Sequence, residues 1–121
     1  MKNIVIIGGT KGIGKAIVSE VVDNNNVVCL SRNQTDFSHD NYTFHNFDAL
    51  VDDYPDFESV DCLIYCPGSI NLKPISTLSL DDFRNDFELN VIGAVRAIKK
   101  YLNLLKKSGS ASILLFSTVA T

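Results

Sequence analysis

The chain lacks a basic excess. It carries 11 Lys and Arg against 14 Asp and Glu, a formal net charge of −3. Nucleic acid and anionic membrane are therefore not expected as main partners, since both call for a cationic face. The longest early apolar run, Ile4 to Ile7, is too short for a signal-peptide core or a membrane span. The expected location is the cytoplasm. Cysteine is scarce: Cys29, Cys62 and Cys66 only. Cys29 and Cys62 fall in apolar, strand-like runs, and the Cys62–Cys66 spacing lacks a second ligand pair, so no metal site is expected. Reduced thiols, in the core or near a site, are the reading for all three. Repeats and low-complexity segments are also missing.

What is present is the composition of one globular domain, 45% apolar and 21% charged over 121 residues. Asn3–Ile7 is a short β-branched run ended by glycine and reads as a buried strand. Ile13–Asp23 has Ile13, Ala16, Ile17 and Val21 at helical spacing. Val27–Ser31 reads as a second strand. Tyr42–Asp48 reads as a third, with Tyr42 and Phe44 on one face and Phe47 on the other. Leu50–Val60, interrupted by Pro55, predicts a short irregular helix or turn. Asp61–Cys66 and Ser112–Ser117 complete the strands.

Between them, Ser79–Lys107 predicts one long helix. Ser79 and Asp82 form a capping-box-like start, and Ser108-Gly109 forms the stop. Its expected core stripe is Phe83, Phe87, Val91, Val95, Ile98, Leu102 and Leu105, with Leu89, Ile92, Tyr101 and Leu104 off it. Strands alternating with helices predict an α/β fold, a parallel sheet covered on both faces.

The first strand runs into Gly8-Gly9-Thr10-Lys11-Gly12-Ile13-Gly14 and then a helix. Glycines allow close backbone approach to a pyrophosphate, and the helix start offers free N–H groups and a positive dipole end. The spacing is Gly-x3-Gly-x-Gly, not Gly-x-Gly-x2-Gly, and it lacks the Gly-Lys-Ser/Thr ending of a P-loop. Here the chain resembles the short-chain dehydrogenase/reductase family, whose turn is Thr-Gly-x3-Gly-Ile-Gly. Gly8, Gly12, Ile13 and Gly14 match, while Ile7 stands where the family has Thr. The resemblance implies a Rossmann-like doubly wound sheet in the order 3-2-1-4-5. It covers essentially the whole chain as the N-terminal part of a nucleotide-binding domain, incomplete at its C-terminus over 1–121.

An NAD-specific site places an acidic residue at the end of the second strand. This strand ends Cys29-Leu30-Ser31-Arg32, without an acid. Arg32 can meet a 2′-phosphate, and the resemblance puts Lys11 on the same side, so NADP(H) is expected over NAD(H). Each residue taken alone also reads as a solvated surface charge.

The resemblance implies further sites. Asp48-Ala49 stands where the family has an Asp on the adenine amino group, or is simply a turn. Tyr65-Cys66-Pro67-Gly68 replaces the family's Asn-Asn-Ala-Gly, so Cys66, Pro67 and Gly68 either lie along the ribose and nicotinamide side or form a turn without ligand contact. Asn90, an unfavourable residue within a helix, matches the family's Asn that opens the helix and holds a water in a proton relay, with Gly93 easing the distortion. The bland alternative is a polar residue on a wet face. Thr118 aligns with the catalytic hydroxyl, and Ser117 takes that role if the register slips by one.

No Tyr-x3-Lys, the family's catalytic pair, occurs in these 121 residues. The expectation is therefore an oxidoreductase parent, acting on a small-molecule carbonyl or alcohol, of which this chain alone is inactive. The alternative is a non-catalytic NADP(H)-binding sensor or interaction module. A flavodoxin-like or receiver domain fits less well, since neither an acidic phosphorylation pocket nor flavin loops are found. Because the family's matching helix packs in a dimer interface, self-association through residues 79–107 is expected.

Overall fold

The structure is a computed structural model and describes residues 1–68 and 73–117. Five parallel strands lie in the order β3-β2-β1-β4-β5: β1 Asn3–Ile7, β2 Asn26–Ser31, β3 Tyr42–Asn46, β4 Cys62–Tyr65 and β5 Ser112–Leu115. Strand β1 is central. Ile4 pairs with Val27 on one side and Cys62 on the other, so its apolar run is covered by strands as well as by helices. Its side chains enter a core on each face of the sheet, Ile4 and Ile6 on one and Val5 and Ile7 on the other, which explains why it reads as unbroken Ile and Val instead of alternating.

Alternate residues feed two cores. Ile4, Ile6, Val27, Cys29 and Ile64 pack with Val18 and Val22, in and just after helix α1 (Gly12–Val21). Val5, Ile7, Leu30, Leu63 and Tyr65 pack against Ala94, Ala97, Tyr101 and Leu105 of helix α3 (Gly93–Ser108). Tyr42 and Phe44 belong to the first core and Phe47 to the second, as the alternation predicts.

The expected long helix is in three pieces. Helix α2 (Leu80–Phe87) begins with a complete capping box: Asp82 N–H donates to Ser79 Oγ, and Ser79 N–H to Asp82 Oδ2, both at 3.0 Å. A π-helical turn, Glu88–Ile92, follows, then α3, which ends on Gly109 in the left-handed region at φ 77°. The expected stripe is corrected too. Phe83, Phe87, Val91 and Val95 are 50, 57, 42 and 44% exposed, whereas Ala97 and Tyr101 are fully buried. Alanines let the α3 backbone approach the sheet closely; Phe83, Phe87, Val91, Val95 and Leu102 of the stripe are left exposed, while Leu105 is in the core and Ile98 packs against it.

Two crossovers carry no helix. Residues 32–41 are irregular, with Phe37 edge-on to Tyr42 at 4.8 Å. Residues 47–61 form a turn and then an irregular strap, so of the two readings of Leu50–Val60 the turn holds and the helix does not. Aromatic packing takes the helix's place: Tyr54 lies 4.6 Å from Phe47 and 5.9 Å from Tyr101, and the Tyr101 hydroxyl donates to Pro55 O at 2.7 Å. At the opposite end of the sheet from the glycine turn, Asp61 ties the two layers. Its carboxylate accepts from Asn3 N–H at 2.7 Å and from Ser108 Oγ–H at 2.6 Å.

Candidate nucleotide site

A cavity of about 250 Å³ opens at the C-terminal ends of β1, β2 and β4. This is where open α/β sheets bind ligands, at the point where strand order reverses. Enclosed ligand pockets run from roughly 300 to 1,000 Å³, so this one has room for part of a large ligand and not the whole.

The sheet's hydrogen bonds continue past the strands into the lining. Gly8 N–H donates to Leu30 O at 2.8 Å, Cys66 N–H to Ile7 O at 2.9 Å, and Phe47 N–H to Ser31 O at 2.9 Å. Three wall segments are thereby held in register. Gly8 and Gly12 have φ of +79° and +55°, the region that favours glycine. A Cβ on Gly8 would also press on the Pro67 ring at 3.2 Å, and one on Gly14 would collide with the Gly8 carbonyl. Gly14 therefore sets how closely α1 approaches the turn. Helix α1 has no side-chain cap and no acidic residue in its first turn, which leaves its opening N–H groups to an external acceptor.

Of the residues singled out by sequence, Gly8, Thr10, Lys11, Ser31 and Arg32 line the cavity on the turn side. Asp48, Ala49, Cys66, Pro67 and Gly68 line it on the other. Gly12, Ile13 and Gly14 do not line it. They shape the turn, and Ile13 is exposed. Thr10 Oγ1 and Ser31 Oγ share a hydrogen bond of 3.0 Å that ties the turn to β2. Lys11 and Arg32 are both exposed at the mouth. The Arg32 carbonyl is held by Asn46 Nδ2 at 3.3 Å. Asp48 is part of a side-chain-stabilised turn, its Oδ1 accepting from Leu50 N–H at 2.9 Å. Burial pushes the Cys66 thiol up to about 11, so it faces the cavity as a neutral thiol.

Asn90 lies within the π turn, and its amide oxygen would sit 3.3 Å from a Cβ on Gly68. Thr118 lies outside the described residues. Sequence reasoning missed Ile7, Leu30, Asn33, Phe47 and Leu89 as lining residues. Four of these are apolar: Leu30 and Phe47 read as strand residues, Ile7 as the residue standing where the family's turn has Thr, and Leu89 as a residue off the helix's main stripe. Asn33 follows Arg32 directly and is reached by extending the strand end one residue.

A glycine turn, an uncapped helix start and two cations meet at the switch point of a parallel α/β sheet. The chain belongs to the short chain dehydrogenase family, whose sequence model matches residues 2–121. Solved structures share the fold. A short chain dehydrogenase family protein from Francisella tularensis is 26% identical, with a TM-score of 0.84 over 100% of this chain and 54% of its own. A short chain dehydrogenase from Leptospira borgpetersenii, solved with bound NAD+, is 20% identical with a TM-score of 0.83 over 97% and 51%. The protein ElxO, solved with NADPH bound, is 23% identical with a TM-score of 0.80 over 97% and 55%. The chain thus spans about half the length of these relatives. No curated protein sequence matches it. Among the described residues no helix is long and apolar enough to cross a membrane, and no group of His, Cys, Asp and Glu could hold a metal ion.

Proposed function

We propose that this chain is the cofactor-binding part of an oxidoreductase that moves hydride between NADP(H) and a carbonyl or alcohol substrate. The observation that carries the cofactor choice is the pair Lys11 and Arg32 on the rim of one cavity, with β2 ending at Ser31, Arg32 following it, and no acid there. A 2′-phosphate accepts charge-assisted hydrogen bonds from such a pair, each worth about 1.5–3 kcal/mol, or tenfold in affinity and upward. The uncapped start of α1 takes the pyrophosphate, and Asp48 with Ala49 faces the adenine.

The bound nicotinamide supplies the hydride; the protein supplies orientation and the proton. In this reading Asn90 holds a water of the proton relay, and Thr118 or Ser117 donates a hydrogen bond to the substrate oxygen. A general acid of the Tyr-x3-Lys type does not occur in these 121 residues. Self-association through the exposed face of residues 79–107 and a cytoplasmic setting, which suits three free thiols, complete the proposal.

Calorimetric titration of the 121-residue chain tests it. NADPH is expected to bind at least tenfold tighter than NADH, with no NADPH oxidation when carbonyl compounds are added. Tighter NADH binding sinks the cofactor choice, and turnover by the chain sinks the assignment of the missing acid.

A further inference from the structure

We infer that Tyr65 is a positioning residue: its hydroxyl, seated where a side chain at Gly93 would lie, holds the widened turn of residues 88–92 and so sets the Asn90 amide against Gly68 at the cavity edge. Tyr65 is the last residue of β4 and is buried on the α3 side of the sheet; Cys66, Pro67 and Gly68 follow it into the cavity wall. A buried tyrosine hydroxyl needs a partner. This one donates to the carbonyl of Leu89.

That carbonyl has lost its ordinary donor. In an α-helix, Gly93 N–H would bond to Leu89 O, four residues back. Here it bonds to Glu88 O, five back, which is what makes the turn π-helical. The phenol replaces the missing backbone donor from another element. It also explains Gly93: a Cβ there would overlap the Tyr65 hydroxyl and lie 3.1 Å from its Cζ. A second tyrosine grips the same residue, since the Tyr54 hydroxyl donates to Gly93 O at 3.2 Å.

The consequence falls on Asn90. Helix α3 is anchored by Ala97 and Tyr101, both fully buried. Returning the turn to α-helical hydrogen bonding would rotate what precedes it by about 100°, one residue's worth. Asn90 would leave Gly68. Burial pushes the Tyr65 hydroxyl up to about 12, so it stays a donor through the neutral range.

The test is NMR on the 121-residue chain, read through the hydrogen bonds themselves. In the unmodified chain, Gly93 N is expected to show scalar coupling to the Glu88 carbonyl carbon, and the Tyr65 hydroxyl proton to exchange slowly enough to be observed. In Tyr65→Phe the coupling should transfer to the Leu89 carbonyl. The Asn90 side-chain amide signals should shift and lose their Overhauser contact to Gly68.

A Tyr65→Phe protein that keeps the Gly93–Glu88 coupling and the Asn90–Gly68 contact overturns the proposal. So does a hydroxyl in the unmodified chain that exchanges as fast as free tyrosine, a measurement that decides alone where the variant does not fold. Gly93→Ala supplies a second check. It should lower the midpoint of unfolding far more in the Tyr65 background than in Tyr65→Phe, and equal losses overturn the lock. The inference rests on the cofactor reading only in what the cavity holds. The expected couplings in a chain that binds neither NADPH nor NADH keep the lock and sink the cofactor assignment.

Discussion

Gly14 has no room for a side chain, because a Cβ there would run into the carbonyl of Gly8. Gly14→Ala is expected to force α1 away from the turn and to cost about 1–3 kcal/mol, read by urea denaturation. Gly12 is different: a Cβ would meet nothing, and only its φ of +55° is at stake. Gly12→Ala should therefore cost about 1–2 kcal/mol, from backbone strain alone. Arg32 works on the ligand and not the fold. Arg32→Glu should reduce the NADPH-over-NADH preference by tenfold or more in titration. Stability should change by less than about 0.5 kcal/mol, because Arg32 is exposed. The glycines were legible from spacing because a strand–turn–helix is a local structure. The lock around Asn90 was not: the sequence marks the departure at Tyr65, but its partners are Leu89 and Gly93.

At the scale of elements, the helical region shows where periodicity stops being decisive. Ala94, Ala97, Tyr101 and Val95, Ile98, Leu102 both satisfy helical spacing and differ by one residue, about 100° of rotation, and either run leads to Leu105. Side-chain size favours the second set; the fold buries the first. Tyr101→Ala is expected to cost about 3–5 kcal/mol by denaturation, as for other large buried rings. Phe83→Ser and Phe87→Ser should each change monomer stability by less than about 0.5 kcal/mol. The cap at Ser79 and the stop at Gly109 sit where the sequence puts them, because both are set within a few residues. The two helix-free crossovers were less legible. Their order comes from aromatic contacts with other elements, such as Tyr54 on Tyr101.

Across the whole molecule, apolar surface remains on both the helical stripe and β5, where Ile113, Leu114 and Leu115 are 43, 42 and 52% exposed. An exposed apolar edge strand and stripe invite pairing. Sedimentation velocity should show a mass that rises with concentration, and Phe87→Glu should reduce it if the helix is the contact. A concentration-independent monomer refutes self-association. Acid should loosen the fold through Asp61. Its hydrogen bonds from Ser108 and Asn3 hold its carboxyl below the usual carboxylate range. The native state therefore favours the ionised form, and that contribution is full above about pH 4 and lost as pH falls through the lowered value. Asp61→Asn should lower the melting temperature at neutral pH, with the gap to the unmodified chain closing in acid.

The sequence by itself determined the strands, the glycine turn, the helix cap and stop, and the family with its strand order. The strands, turn, cap and stop depend on residues within one turn or one strand, where spacing carries the geometry, while the strand order is what the family resemblance implies. The tertiary structure alone decided which apolar face α3 buries, that Phe47 and Leu89 wall the cavity, and that the turn around Asn90 is π-helical. Those outcomes rest on contacts across long sequence separations, Tyr65 with Leu89, Tyr54 with Gly93, and Tyr101 with Pro55. A linear pattern marks such residues as apolar or polar. Only the packed chain shows which group each one meets, because a hydrogen bond or a ring contact is made at a few ångströms in space.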